Sequence, residues 1–591
     1  MAVELQHRPA EAGAARAVAE ATAHAPAPRL PIVDIVVVLG LIGIVYALAK
    51  VASLWSAPLQ TQVTIDLSPS ALPAYAFASL VRMVAAYILS MAFSLAYGRL
   101  MASGPWAERL LVPMLDILQS IPILSFMPGI VLALVVLFPN SNVGLELAAI
   151  LLIFTSEAWN LTFSFYQSLR TIPSDLREAA TINRLGSWRR FTRLEVPFAT
   201  IGLVWNSMMS WAGGWFFLMA AEQFTLGDKN FQLPGLGSYL KTAADAGNVA
   251  ALGIGLATLV FIIIALDQLM WRPLVAWSEK FRFEQTESGE VATSPVLTAL
   301  RRSALLDWLS EQGLPRAIDA FDRLRPRSQS PPQGDTPTRT NATFVKVGRV
   351  VLLVVFGAGA AWGAFSVAQL LASLNPQDWI AILPAATATF LRTGFALLIG
   401  TLWTVPAGVA IGLNPRLARR AQPVVQVAAS IPATALFPVL LLVLIGLPGG
   451  LNIAAVALML LGTQWYLLFN VIAGAQAIPS DLREAGTIYH LRGWRRWRYL
   501  ILPAVFPFLL TGLITATGGA WNASIVAEYV TFGGQTYQTL GLGAYISDAA
   551  NNAQYAQLAA GTLVMSAIVI LVNRLVWRRL YRTAEQRYRL E

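Results

Sequence analysis

The feature that most constrains this chain is a series of apolar runs, each about 20 residues long and therefore able to cross a bilayer as a helix. Hydrophobic residues make up 56% of the 591 residues and charged residues only 13%, against about 25% in soluble domains. The sequence therefore predicts an all-α membrane protein with twelve transmembrane helices. The runs lie near residues 32–54, 73–98, 118–138, 145–168, 196–221, 249–272, 348–373, 384–412, 424–447, 451–473, 502–527 and 555–577.

The composition argues against several other classes of protein. Cysteine is absent, which rules out disulfides, thiolate nucleophiles and cysteine-ligated metals. The three histidines, His7, His24 and His490, show no metal-ligand spacing. The net charge of +10 does not indicate a nucleic-acid partner, because the basic residues gather in short loops between apolar runs.

The distribution of positive charge predicts the orientation in a bacterial inner membrane. The loop near 168–195 carries six arginines, whereas the loop near 222–248 balances its two lysines with acidic residues. Positive loops face the cytoplasm, so we expect the first loop inside and the second outside. Six spans per half then place both termini and the 273–347 linker in the cytoplasm.

The two sets of six spans are copies of each other in parallel orientation. Arg82 and Pro122 recur 310 residues later as Arg392 and Pro432, and from Trp159 onward the offset is 306. Parallel repeats predict a substrate path at the interface between the halves. The predicted domains are a 1–30 tail, a 31–280 first membrane domain, a partly disordered 281–345 linker, a 346–585 second membrane domain and a 586–591 tail.

The strongest repeat lies in the loop between spans four and five of each half. From Ile172 to Pro197, sixteen of twenty-six positions are identical to the segment beginning at Ile478. The pattern predicts a short helix, a break and a second helix beginning at Ser187 or Gly493. Ser174 or Asp175 is suited to capping the first helix, and Gly186 or Gly493 to forming the turn.

This loop resembles the EAA loop of the permease subunits of type I ABC importers. The motif reads Glu178-Ala179-Ala180 in the first half and Glu484-Ala485-Gly486 in the second, each with a proline nineteen residues after the glutamate. The resemblance implies that the first helix of each loop docks on an ATPase subunit. The implied coupling residues are Ser174, Asp175, Arg177, Glu178, Ala179, Gly186, Ser480, Asp481, Arg483, Glu484, Ala485 and Gly493.

Each loop also departs from the family pattern. The usual glycine six residues after the glutamate is Arg184 in one half and His490 in the other, which predicts a slightly longer helix. Gly486 stands where the first half has Ala180. This exchange puts the detailed fit to the ATPase in question.

The resemblance also implies the partners of the chain. No lysine follows a glycine, so no GxxxxGK[ST] nucleotide-binding loop is present. The chain is therefore expected to hold no cofactor of its own. ATP and magnesium belong to a separate ATPase, present in two copies, and a periplasmic binding protein delivers the substrate.

Several polar residues in the predicted spans are candidates for a substrate path, because polar groups inside a membrane are costly. They are Glu157, Asn160, Ser164, Gln464, Tyr466 and Asn470. Hydrogen bonding between neighbouring helices is an equally good explanation for them.

The outer end of span five repeats a second motif, in which Glu222 or Glu528 precedes a Gly-Leu-Gly turn. The glycines are Gly235, Gly237, Gly541 and Gly543. The arrangement resembles the nitrate, taurine and sulfonate branch of these permeases, which implies a small anion as substrate. Because glutamates repel an anion, we assign them to an outer gate or loop.

Arg82 and Arg392 have the right sign for binding an anion, but snorkelling to lipid headgroups is the favoured explanation. The sequence leaves three other functions open: a fused iron(III)-type permease, a secondary transporter without an ATPase, and a membrane scaffold.

Overall fold

A computed structural model describes residues 35, 38, 63–139, 141–226, 229–281, 294–303, 357–359 and 361–587. Nearly all of the predicted first span, most of the 281–345 linker and both predicted tails lie outside the described residues, apart from 586–587. The described helices occupy ten of the twelve predicted span positions and part of an eleventh, at 361–372. The prediction of an all-α membrane protein built from two parallel repeats is confirmed.

In the first half, long helices alternate with short ones on the loops. The elements are α1 (Leu72–Met101), α2 (Pro105–Ser120), α3 (Ile123–Leu137), α4 (Val143–Thr171), α5 (Ser174–Ile182), α6 (Ser187–Arg190), α7 (Val196–Ala221), β1 (Gln223–Leu226), β2 (Lys229–Gln232), α8 (Leu236–Asp245) and α9 (Val249–Leu266).

Two short helices, α10 (Arg272–Ser278) and α11 (Pro295–Leu300), lie in the part of the chain that joins the halves. With the residues around them they belong to a separate compact unit. In this unit the Lys280 ammonium lies 4.2 Å from the centre of the Trp277 ring. Helix α11 ends at Leu300, and the described part of this segment ends at residue 303.

The second half repeats the order of the first. Its elements are α12 (Pro376–Gly412), α13 (Pro415–Ser430), α14 (Ala433–Leu444), α15 (Gly450–Gln476), α16 (Ser480–Ile488), α17 (Gly493–Arg496), α18 (Leu502–Ala527), β3 (Tyr529–Phe532), β4 (Gln535–Gln538), α19 (Leu542–Asn551), α20 (Tyr555–Val572) and α21 (Arg578–Arg587).

The third span of each half is broken, which corrects the uninterrupted spans predicted near 118–138 and 424–447. Helices α2 and α3 meet at 94°, and α13 and α14 meet at 82°. The break falls at Ile121-Pro122 and at Ile431-Pro432, where both isoleucines adopt extended backbone conformations. A proline disfavours the helical conformation of the residue before it, so each helix ends there. Seven described helices are suited to crossing a membrane, or nine if each bent pair is one span.

Each half also carries a two-stranded antiparallel hairpin after its fifth span, which the sequence analysis did not predict. Strands β1 and β2 pair Gln223 with Gln232, and β3 and β4 pair Tyr529 with Gln538. The strands are only four residues long, too short for a clear alternation of apolar and polar residues.

The halves pack against each other reciprocally. Helix α7 contacts α14 of the other half, and α18 contacts α3 in the equivalent arrangement. One buried cluster accordingly joins Leu124 of α3 to Trp521 and Ile525 of α18. Polar links accompany this packing, since the Leu124 amide donates to Asn522 at 3.4 Å and the Thr562 hydroxyl donates to the Ser125 carbonyl at 3.2 Å.

Candidate coupling and translocation sites

The two loops predicted to couple to an ATPase form the expected helix, break and second helix. Helix α5 is held by its inner face, on which Ala180 is buried and Leu176 packs against a buried cluster that includes Ile172, just before the helix. The opposite face presents Glu178 and Ala179 to solvent. A spacing of four residues places Leu176 and Ala180 on one side of the helix and leaves the glutamate on the other.

Helix α16 repeats this arrangement in part, because Leu482, the counterpart of Leu176, is 39% exposed. Ile478 and Gly486 are buried and Glu484 is exposed, with Ala485 partly exposed beside it. The Ala180-to-Gly486 exchange therefore lies on the inner face, where a methyl group on Gly486 would approach Leu500 to 3.1 Å. The exchange does not alter the outward surface of the helix.

The outer face of each predicted coupling helix, α5 in the first half and α16 in the second, ends in an exposed apolar residue. Ile182 is 79% exposed and Ile488 is 74% exposed, and Tyr489 beside it is 78% exposed. Asp175 and Asp481 are exposed in the first turn of the same helices. Ser480 is the first residue of α16. The outward face of each of these helices therefore presents both a carboxylate and an apolar side chain to solvent.

The prediction that these helices run longer than usual is wrong. Helix α5 ends at Ile182, and Arg184 adopts the left-handed conformation with φ of 49°; His490 does the same with φ of 51°. The amide of Leu185 donates to the Ala180 carbonyl at 3.0 Å and that of Arg184 to the Thr181 carbonyl at 2.9 Å. These bonds form a Schellman motif, which ends a helix whatever residue occupies the left-handed position.

The start of helix α5 is held differently from the prediction. No side chain caps α5, so neither Ser174 nor Asp175 has the capping role. Instead the Arg177 guanidinium donates to the carbonyls of Leu169 and Arg170 at 3.0 and 3.1 Å, which ties the coupling helix to the end of α4. Arg483, the equivalent residue of α16, is exposed.

The start of the second short helix agrees with the prediction. Helices α6 and α17 begin at Ser187 and Gly493. Gly186 is extended with φ of −61°, whereas Gly493 is left-handed with φ of 50°. In the first half Arg99 donates to the Ser187 carbonyl at 2.7 Å and pairs with Glu195 at 2.9 Å.

Replacing Arg184 or His490 with glycine is expected to stabilise the end of its coupling helix by about 1–2 kcal/mol, because glycine adopts the left-handed conformation without steric cost. Hydrogen exchange of the 174–185 or 480–491 amides measures this as a slowing of roughly five- to thirtyfold. Asn183→Gly is the control, since Asn183 has φ of −76° and glycine there gains nothing. Equal effects at positions 183 and 184 would contradict the explanation.

The predicted outer-gate residue Glu222 belongs to a buried ion cluster. Arg82, only 2% exposed, pairs with Glu222 at 2.7 Å and with both oxygens of Glu146 at 2.6 and 2.8 Å. Its guanidinium also donates to the Pro234 carbonyl at 2.9 Å. The snorkelling predicted for Arg82 is therefore wrong, because its charge is neutralised inside the protein and points away from lipid.

The second half has an equivalent cluster with one acid fewer. Arg392 pairs with Glu528 at 2.7 Å and donates to Asn452 at 2.7 and 3.2 Å. Asn452 stands 306 residues after Glu146, so the repeat replaces a carboxylate with an amide. Snorkelling is wrong for Arg392 as well, since its side chain is 13% exposed and bound to a buried glutamate.

Each glutamate also holds the Gly-Leu-Gly turn that follows the hairpin. The Gly237 amide donates to Glu222 at 2.7 Å, and the Gly543 amide donates to Glu528 at 2.8 Å. Gly235 and Gly541 lie so close to these carboxylates that a methyl group on either would overlap the acid. The glutamates therefore fix the Gly-Leu-Gly turns to the ends of α7 and α18, and their placement at an outer gate or loop stays a prediction.

The hairpin of the second half reaches the first half at this face. The Gly533 amide donates to the Ala244 carbonyl at 3.1 Å, and Lys241 donates to the Thr531 carbonyl at 3.2 Å. Lys241 also pairs with Asp245 at 2.5 Å. Burial raises the pKa of the Asp245 carboxyl, and the ion pair with Lys241 opposes that rise.

The six candidate path residues lie on two helices, with Glu157, Asn160 and Ser164 on α4 and Gln464, Tyr466 and Asn470 on α15. Glu157 is fully buried among α1, α4 and α7, with Ser90 donating to one oxygen at 3.3 Å and no partner for the other among the described residues. Gln464 is buried, and Asn470 donates to the Tyr466 carbonyl at 2.8 Å. Asn160 and Ser164 are partly buried on the same helix as Glu157.

A cavity of about 80 Å³ lies between the halves, and Tyr466 is the one candidate path residue among the residues that line it. Helix α7 contributes Gly213 and Phe216, and α18 contributes the equivalent pair, Gly519 and Asn522. The remaining lining comes from the second half alone, at the α13–α14 break and the middle of α15. It includes Gln426, Trp465, Tyr466 and Phe469.

Sequence reasoning missed Glu146 and Asn452 as partners of the buried arginines, and it missed Gln426 as a lining residue of the cavity. One signal was available for the first pair, because Glu146 is a charge near the start of a predicted span. Tyr466 was among the polar candidates for the path, and it lines the cavity.

The helical repeats, the broken third spans and the paired cytoplasmic-type loops define a transport permease of the membrane. The family described as "Binding-protein-dependent transport system inner membrane component" matches residues 88–270 and 400–590, more than half of the chain. The chain belongs to this family and contains its domain twice.

The relatives within this family are anion transport permeases. The chain is 25% identical to the nitrate import permease protein NrtB of Leptolyngbya laminosa and 26% identical to the bicarbonate transport system permease protein CmpB of Synechococcus elongatus. Each match covers 32% of this chain and 64% or 65% of the relative, just under two thirds of its length. The taurine permease protein TauC of Escherichia coli is 25% identical, over 36% of this chain and 75% of its own.

Proposed function

We propose that this chain forms the membrane-spanning pathway of an ATP-driven importer for a small anion. In this proposal two copies of a separate ATPase subunit bind the coupling helices, and a periplasmic binding protein delivers the substrate to the outer face. ATP binding closes the ATPase dimer, and the motion passes through α5 and α16 into the two halves. Both termini lie in the cytoplasm, on the side of the coupling helices.

The observation that carries this proposal is the pair of coupling helices. Each is fixed to its own half by a buried inner face, while Glu178 and Ile182 in one half, and Glu484 and Ile488 in the other, face outward. A rigidly mounted helix with an exposed charged and apolar face transmits force applied to that face. Family membership supports the coupling role, since the family is named for binding-protein-dependent transport.

The anion class is supported by the nitrate, bicarbonate and taurine permeases among the relatives. The outer ion clusters do not supply the binding charge, because Arg82 and Arg392 are both occupied by glutamates. This arrangement favours a mechanism in which the binding protein selects the anion and the membrane pathway binds it only weakly. Reconstituted vesicles assayed with nitrate, bicarbonate and taurine would identify the preferred substrate.

The test is charge reversal of both coupling glutamates. Glu178→Arg with Glu484→Arg is expected to lower ATP-dependent uptake at least tenfold, since like charges at an interface cost several kcal/mol and 1.4 kcal/mol is tenfold in affinity. Copurification of the ATPase with the double variant should fall in parallel. Normal assembly with normal uptake would remove these residues from the coupling role.

Two features make the outcome interpretable. The added positive charge lies on the predicted cytoplasmic side and reinforces the orientation, so a failure to insert does not explain the loss. The conservative pair Glu178→Gln and Glu484→Gln removes charge without repulsion and is expected to have an intermediate effect. Uptake that needs no ATPase would instead identify a secondary transporter.

A further inference from the structure

We infer that the cavity between the halves is a transit site for a small monovalent oxyanion that carries no cationic group. The inference rests on the proposed function and narrows its substrate class. The cavity is bounded by both halves, and its lining residues lie near the middle of α7 and α15. Its volume of about 80 Å³ accommodates roughly five to eight water molecules. This is enough space for an oxyanion of four heavy atoms together with part of its hydration water.

The lining offers hydrogen-bond donors without charge. The Tyr466 hydroxyl and the Gln426 side-chain amide have no hydrogen-bond partner among the described residues, and both groups line the cavity. The Asn522 amide lies beside them and donates to the Gly518 carbonyl at 3.1 Å. The aromatic rings of Phe216, Trp465 and Phe469 complete the lining without adding charge.

The absence of charge among the lining residues restricts what the cavity can hold. A divalent anion is disfavoured because the cost of removing an ion from water rises with the square of its charge. An amine-bearing sulfonate such as taurine is disfavoured because no carboxylate lines the cavity to pair with its ammonium. Nitrate and bicarbonate meet both conditions.

Among the described residues, the unpartnered hydrogen-bond donors of the cavity come from the second half only. The first-half equivalent of Tyr466 is Asn160, and the equivalent of Gln426 is Asp116, which pairs with Arg578. A carboxylate at that position would repel an anion, and neither residue lines the cavity. The two halves have therefore diverged at these positions. The second half lines the cavity with hydrogen-bond donors, whereas in the first half an acid pairs with an arginine.

The absence of native cysteine allows a direct test on the purified full chain in nanodiscs. Gly462 lines the cavity, and a side chain there has open space, with its nearest neighbour the Ala433 methyl at 3.8 Å. We expect sodium nitrate to slow modification of Gly462→Cys by methyl methanethiosulfonate at least fivefold. Taurine and sulfate at equal ionic strength should slow it less than twofold.

Gly518→Cys is the matched control, because Gly518 has open space, lies on α18 and does not line the cavity. Its modification rate should be the same with and without nitrate. Adding Tyr466→Phe to Gly462→Cys should weaken protection by nitrate roughly twofold to tenfold, the effect of losing one hydrogen bond. Equal protection by all three solutes, or by none, would overturn the inference.

A second assay covers the case in which the reagent does not reach the cavity. Gly462→Val fills part of the cavity, and uptake of nitrate by vesicles that contain the ATPase and binding protein should fall at least tenfold. Uptake by Gly518→Val should stay within twofold of the unmodified protein, and equal uptake by both variants would overturn the inference. If the unmodified protein shows no ATP-dependent uptake, the proposed function fails, whereas protection of Gly462→Cys still decides whether the cavity binds nitrate.

Discussion

Arg82→Met is expected to destabilise the protein by about 3–5 kcal/mol, the cost of breaking a buried ion cluster by removing one partner. The substitution leaves Glu146 and Glu222 buried and close together with no cation between them. The Pro234 carbonyl also loses its donor. The measurement is the loss of folded protein on thermal and SDS denaturation of the purified chain in detergent.

The second half supplies the matched comparison. Arg392→Met should be less damaging, because only one carboxylate loses its cation and Asn452 replaces the second acid. Glu528 also keeps the bonds from Thr389 and from the Gly543 amide. Equal and small losses of stability in both variants would support snorkelling arginines and contradict the buried clusters.

The substitution Gly235→Ala is expected to have the second large effect. The outer turn should lose its ordered conformation, and transport should be lost as a consequence. The added methyl group would overlap the Glu222 carboxylate, which cannot move away cheaply because Ser79, Arg82 and the Gly237 amide all hold it. Overpacking of this kind typically costs 1–3 kcal/mol, and here it also weakens charged hydrogen bonds. Uptake and thermal stability should fall together.

Gly253→Ala is the control for that prediction, since a methyl group there meets nothing within 4 Å. It should leave both uptake and stability within the range of the unmodified protein. The equivalent substitution Gly541→Ala should reproduce the loss, because its methyl group would overlap Glu528. If only one of the two turns responded, the two outer loops would not be functionally equivalent.

The coupling loops illustrate how far local sequence patterns reach. The helix, break and second helix were predictable because Pro173, the Glu178 motif and Ser187 act on neighbouring residues along the chain. The end of the first helix was not, because a Schellman motif tolerated Arg184 at a position where glycine is usual. The choice between a longer helix and a strained turn depends on hydrogen bonds that a residue-by-residue reading does not include.

The sequence by itself determined the membrane class, the duplication and the two loops, since these depend on hydropathy, charge bias and spacing along the chain. Only the tertiary structure decided which acids meet Arg82, because Glu146 and Glu222 lie 64 and 140 residues away. It also decided where the cavity lies. Helices that are apolar all round carry no pattern showing which face meets lipid and which meets the other half, so packing alone places Tyr466 and Gln426 at a common space.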